Sequence, residues 1–422
     1  MLLPEFRLVY LTAAGPWADA SIRALLKEEL DWVRVLRIAQ AEHAVPVVYR
    51  RLQAVGEELD AAGAVPRLPL SGRVAQSFRR TAQVVDFRMG LLQDRMVELL
   101  AHLDEAGIPV VLLKGAGMAL RWHTGLHDRP MGDLDLLIRP EDAVRAHELT
   151  QELSWELPRS DLRPHMYEGH HHLIQLDATD GMGFSVEIHT GLFPRWAPFR
   201  FGSQEVWSRA QPLARLRSST GRPSGRPALA SLPDSVHVPA PEDQLLHACL
   251  HFAWSHTFRE GSWRMVRDLD ALLGFPTLDA AAFLEGAATS RGESCVYWSL
   301  MLFQALTGRQ PPPTFLDGLS IRSRPVLHPL LLRHLVSEAL PTHPAPGTQR
   351  LSRALWTLAV DPRGSGHGAG RPWTHADRWP GPSPEEAAQM EPRPPLWTRL
   401  RGLGHYMGYL TGRRPTSEPN NP

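Results

Sequence analysis

A chain of 422 residues has length for two or three domains with a buried core, and 43% hydrophobic with 21% charged residues is the composition of a soluble globular protein. The 45 basic residues balance the 45 acidic ones, which excludes a global field drawing the protein to nucleic acid or an acidic membrane. Cys249 and Cys295 are the only cysteines, too few for a disulfide framework or a cysteine-rich zinc site, so a reducing compartment is expected. The opening MLLPEFRLVYLTAAG has no basic n-region, and no apolar run is long enough to span a bilayer. The expectation is a cytoplasmic protein without stable membrane insertion. Lys27 and Lys114 are the only lysines, all other Lys/Arg positions being arginine, so a lysine at a special position is worth noting.

Residues 1–70 read as a helical region. Trp32, Leu36 and Ile38 fall at helical spacing and face a core, and Pro46 sits in the first turn of the next helix. Ser71 is placed to cap a long amphipathic helix running to about Glu105, with Val74, Phe78, Val84, Phe87, Leu91, Met96 and Leu99 as its apolar stripe. Gly107 ends that helix and Pro109 leads into a strand at Val110–Leu113. A glycine-containing turn, Lys114-Gly115-Ala116-Gly117, precedes a helix from about Met118. Helix is expected again over 142–153, and strands over 170–176 and 182–188, the last with Phe184, Val186 and Ile188 on one face after Gly181 and Gly183. The Ser/Gly/Pro/Arg-rich residues 216–240 read as a flexible insertion, 241–345 as a helical domain, and 346–422 as a Pro/Gly-rich tail ending in a basic amphipathic helix at 397–410. Residues 71–215 form the α/β (α+β) core, a small mixed sheet between the helical regions.

That core carries the chemistry. In the strand Asp133-Leu134-Asp135-Leu136-Leu137-Ile138 the two acids project to one face, because side chains alternate along a strand. Two adjacent carboxylates repel, and a cation between them relieves the repulsion, as at Mg²⁺ sites that handle phosphates. Glu187 stands mid-strand, facing opposite to Val186 and Ile188. If its strand lies beside the first, three carboxylates converge and could hold two cations roughly 3.5–4 Å apart for in-line phosphoryl displacement. Gly115 and Gly117 would let backbone N–H groups approach phosphates, and Lys114 or Arg129 would neutralise their charge.

A hydrophobic strand, a glycine turn opening a helix, an Asp-x-Asp strand and a later strand with a lone acid together resemble the DNA polymerase β-type nucleotidyltransferase superfamily. The chain is most similar to its bacterial "uncharacterised nucleotidyltransferase" family, through Leu113-Lys114-Gly115-Ala116, Arg129-Pro130, the 133–138 strand and Val186-Glu187-Ile188-His189. The resemblance covers roughly residues 25–275. It implies a polymerase β-type core in which Asp133, Asp135 and Glu187 hold Mg²⁺ or Mn²⁺ and Gly115 belongs to the nucleotide-binding turn. It further implies transfer of a nucleoside monophosphate from an NTP, ATP being expected, with release of pyrophosphate. The superfamily's usual turn offers a serine hydroxyl where this chain has Ala116, which leaves backbone contacts to the phosphates.

Each of these residues also has a plainer reading. Lys114 could cap the strand end, Arg129 could serve an ordinary ion pair, and His189 could orient a ligand, act as general base or make a structural hydrogen bond. His170, His171 and His172 cannot all face one ion if they lie in a strand, so an exposed or substrate-side stretch is expected. His247 and His251 are spaced for zinc on a helix but lack the glutamate of a His-Glu-x-x-His motif, which favours packing in the core or cleft. Asp268 and Asp270 read as helix surface, with Asp268 a candidate for the substrate side. With no basic stripe, the expected acceptor is a small molecule, peptide or protein rather than long nucleic acid. The alternatives are a non-catalytic nucleotide-binding module and a phosphohydrolase whose metals sit on histidines.

Overall fold

The structure is a computed structural model, and it describes residues 2–61, 72–158, 169–220, 232–321, 327–341 and 349–360 together with Tyr406 and Leu410. The chain opens with α1 (Pro4–Leu11), α2 (Asp19–Leu25), α3 (Trp32–Ala41) and α4 (Val45–Ala61). Pro4 presets the first turn of α1, and Asp31 caps α3 by accepting from the backbone N–H groups of Val33 and Arg34 at 3.0 Å each. The long α5 (Gly72–Glu105) ends where Gly107 takes φ +73° and Ile108 N donates back to Leu103 O. Its buried face is Phe78, Ala82, Met89, Leu92, Met96, Leu99, Leu100 and Leu103, whereas Val84 and Phe87 are 60% and 62% exposed. The expected stripe therefore drifts off the core in the middle of the helix.

Among the described residues the sheet has the order β3-β4-β5-β2-β1-β7-β6. Its centre is β1 (Val110–Leu112), β2 (Asp133–Leu137) and β5 (Ser185–His189), flanked by β3 (Trp155–Glu156) and β4 (Leu176–Ala178) on one side and by β6 (Gln211–Pro212) and β7 (Val236–Val238) on the other. β2 runs antiparallel to β1 and parallel to β5, so the sheet is mixed. Leu112, Leu134, Leu136, Val186 and Ile188 bury one face against α5 and α6 (Lys114–Trp122). The other face carries only a small apolar patch, Val111, Leu113, Leu137, Leu192 and Val206, and its remainder is polar. That uncovered face is where β2 presents its acids.

α7 (Ala143–Glu152) returns the chain to β3, and α8 (Ser203–Arg209) and α9 (Leu213–Thr220) follow β5 and β6. α10 (Pro241–Leu250) runs into a π-helical turn, His251–Ser255. Then come α11 (Ser262–Leu273), α12 (Ala280–Thr289), α13 (Glu293–Thr307), α14 (Pro313–Asp317), α15 (His328–Ala339) and α16 (Gln349–Val360). The first four helices and the helices after β7 share one apolar cluster. Within it Tyr10 Oη and Ser262 Oγ both donate to Glu42 Oε1, at 2.7 and 2.6 Å.

Several expectations are corrected. α6 starts at Lys114, not near Met118, so the glycines lie in its first turn. Residues 170–175 do not form a strand; only His172 makes an isolated bridge, to His189. Residues 213–220 are helical, and 349–360 form α16, whose Trp356 indole donates to Ala253 O at 2.8 Å. Asp268 and Asp270 are buried rather than on a helix surface. The Ser71 cap, residues 221–231 and the 362–395 segment lie outside the described residues. Of the tail helix only Tyr406 and Leu410 are described, both helical and buried. No helix among the described residues is long and apolar enough to cross a membrane.

Candidate active site

β2 positions the site because its alternation is unambiguous: Leu134 and Leu136 enter the core, and Asp133 and Asp135 take the opposite face. β5 lies beside it in parallel register, with Ser185 opposite Asp133, Glu187 opposite Asp135 and His189 opposite Leu137. The expected adjacency of the two acid-bearing strands is therefore present. Asp135 is buried, and its Oδ1 receives Lys114 Nζ at 2.8 Å and His189 Nε2 at 2.9 Å. The same Nε2 lies 3.2 Å from Glu187 Oε2, so one imidazole N–H is shared between both carboxylates. Asp135, Glu187 and His189 each offer a ligand atom within 4.8 Å of the others; Asp133 is not in that set and stands at the outer end of the strand.

The electrostatics follow from burial opposed by partners. Burial alone would raise Asp135, yet Lys114 and the His189 hydrogen bond hold it well below the usual carboxylate range. Glu187 is lowered in the same way, burial being outweighed by His189. Asp133 goes the other way: burial and the Asp135 charge raise it. Asp133 is solvent-exposed at the start of β2. Burial would strip the proton from Lys114 and His189, but the carboxylates prevail and both hold their protons more firmly than usual. In this arrangement His189 donates to the acids.

Two cations thus face three carboxylates, and Asp133 has no hydrogen bond or ion pair among the described residues. Asp135 Oδ2 and Glu187 Oε1 accept nothing there either, so hard oxygen donors remain on one face. That donor chemistry fits Mg²⁺ or Mn²⁺, which Asp135 and Glu187 would hold.

The glycine turn is a close-packing device. A Cβ on Gly117 would lie 2.4 Å from Leu112 O, and one on Gly115 would lie 2.9 Å from Arg129 Nη1 and Met131 Sδ. Ala116 is buried in the apolar layer beneath the sheet, so its methyl points away from the cleft. Lys114 itself adopts φ +39°, a conformation that non-glycine residues avoid. Arg129 is buried and spends Nε and Nη2 on Asp268, at 2.7 Å each, which fastens α11 to the loop before β2. This is the plainer of its two readings.

Within electrostatic reach of Lys114 and Asp135 stand His247, His251 and His256, with ring centroids 5.7 and 4.7 Å apart in succession. Burial pushes His247 down to about 3 and His256 down to about 4, with Lys114 adding to both, so the wall is neutral. His251 opens the π-helical turn His251–Ser255 and His256 follows it; such turns are frequent at functional sites. Sequence reading missed Arg264. It follows Gly261, at φ +75°, on the first turn of α11; its charge lowers Asp133 and His256, and it has no hydrogen bond or ion pair among the described residues. It also lines a cavity of about 510 Å³ together with Glu42, His43, Arg259, Glu260 and Glu338. No local pattern in the sequence marks it.

Residues 28–308 match the sequence model of a family described as "uncharacterised nucleotidyltransferase". No curated protein and no solved structure matches the chain.

Proposed function

The chain belongs to the uncharacterised nucleotidyltransferase family, and from that membership and the site geometry we propose that it transfers a nucleoside monophosphate from an NTP to an acceptor. ATP is the expected donor, Mg²⁺ or Mn²⁺ the cation, pyrophosphate the leaving group, and a small molecule, peptide or protein the acceptor. The observation that carries this reading is the parallel register that sets Asp135 beside Glu187, with Lys114 on the same carboxylate.

A divalent cation on those carboxylates would stabilise the charge spreading over the transferred phosphoryl group. The chain's own residues supply the rest. Lys114 and His189 keep Asp135 and Glu187 ionised and fixed in direction. The N–H groups of the first turn of α6, which lack helical acceptors, would bind the phosphates, a role that needs no hydroxyl from Ala116. Arg264, which has no hydrogen bond or ion pair among the described residues and whose charge acts on Asp133, would neutralise the triphosphate. His247, His251 and His256 present uncharged imidazoles that donate or accept without adding net charge. Asp133, raised by burial and by the Asp135 charge, would accept the nucleophile's proton or complete the cation set.

Incubation with labelled NTPs, Mg²⁺ and pools of metabolites or proteins tests the reading. Expected is pyrophosphate release matched by label on an acceptor, lost in Asp135→Asn. Pyrophosphate release with free NMP as its only companion, in every pool, would point to hydrolysis and contradict transfer.

A further inference from the structure

The loop Gly169–Leu173 brings three consecutive histidines to one place, next to the carboxylates but apart from them. Gly169 turns the chain at φ +74°, and its carbonyl accepts from Arg195 N at 3.1 Å. His171 O accepts from Thr190 N at 2.9 Å and Gly191 N at 3.0 Å, and Leu173 N donates to Ile188 O at 2.9 Å. These bonds pin the loop to the end of β5. Since the segment is not a regular strand, its side chains do not alternate. Ring centroids of His170 lie 4.6 Å from His171 and 4.2 Å from His172, and His171 and His172 are 4.8 Å apart. One nitrogen from each lies within 4.8 Å of the other two.

We propose that His170, His171 and His172 form a binding site for a borderline transition-metal cation of the Zn²⁺ class, separate from the hard-cation site at Asp135 and Glu187. Imidazole nitrogen is the ligand such ions prefer and Mg²⁺ does not. The His172 Nδ1 lies 2.7 Å from Leu173 O. A carbonyl only accepts, so Nδ1 carries the proton and Nε2 presents a lone pair, the orientation that holds a metal-ligating histidine in place. The His171 Nδ1 is buried without a hydrogen-bond partner among the described residues. Zn–N bonds of about 2.0–2.1 Å would draw the three nitrogens inward by side-chain rotation and leave a fourth position open. His172 Nε2 lies 4.0 Å from Glu187 Oε2, so the two sites share a wall.

The test uses the full chain without an affinity tag, loaded with Zn²⁺, dialysed against metal-free buffer and assayed for metal. About one Zn²⁺ per chain is expected in the wild type and in Asp135→Asn, and its loss in His171→Ala. X-ray absorption of the Zn²⁺-loaded wild type, which needs no variant to fold, should show imidazole nitrogen around the metal. Wild type that retains no zinc, an oxygen-only shell, or zinc kept by His171→Ala but lost in Asp135→Asn would each overturn the proposal. Nucleotide turnover plays no part in these readouts, so its failure leaves them unchanged.

Discussion

Lys114 holds a backbone conformation that lysine disfavours, at φ +39°, at a cost on the order of 1 kcal/mol or more. Its Asp135 ion pair gives a reason for the strain to persist. Lys114→Met would leave Asp135 facing Glu187 with His189 alone between them, and should cost about 3 kcal/mol in metal-free buffer. Added Mg²⁺ should restore part of that loss; thermal melts with and without the cation check it, and equal destabilisation in both buffers would argue against a cation site. Gly117→Ala tests the close approach of α6 to β1. With Leu112 O only 2.4 Å from the new methyl, a loss of about 1–3 kcal/mol is expected in denaturant unfolding. At this scale much was legible. Strand alternation alone sets Asp133 and Asp135 on one face, and the lone acid among Val186 and Ile188 marks Glu187. Lys114's conformation and the Arg264 guanidinium were not legible, since both depend on contacts made across the fold.

At the scale of elements, β2 and β5 were readable because their side chains alternate, but their parallel pairing was not, since 47 residues and, among the described residues, three elements intervene. The histidine loop failed for a related reason. His170-His171-His172 has the residue types of a strand or a loop equally, and hydrogen bonds from Thr190, Gly191 and Leu173 decide its shape. Phe87 fell at helical spacing yet faces solvent, because a 34-residue helix outruns the core that a single stripe can follow. The joint between α11 and the β2 loop is the bidentate Arg129–Asp268 pair, buried on both sides. Asp268→Asn keeps the volume and removes the charge, leaving Arg129 buried and uncompensated. Destabilisation of about 3–5 kcal/mol is expected by chemical denaturation, and a loss under 1 kcal/mol would show the joint to be dispensable.

For the whole molecule, the N-terminal and C-terminal helices close one core around contacts such as Tyr10 with Ser262, which lie 252 residues apart. No local pattern announces a contact of that span. The same core buries His334, hydrogen-bonded to Tyr406, and burial pushes its pKa down to about 4 from an ordinary 6.5. Because the folded value is depressed, the stability it supports is full above pH 6.5 and is lost as pH falls toward 4. The loss should reach roughly 3 kcal/mol, at 1.36 kcal/mol per unit. Melts between pH 7 and pH 4 should show a drop that His334→Gln flattens. The central claim, that Asp135 and Glu187 hold a cation for a nucleotide, is tested most directly by calorimetric titration of ATP. With Mg²⁺ present, binding is expected in the wild type and a loss of at least tenfold in affinity in Asp135→Asn, with little binding by either protein in EDTA. Equal affinity for both proteins, with or without Mg²⁺, would contradict it.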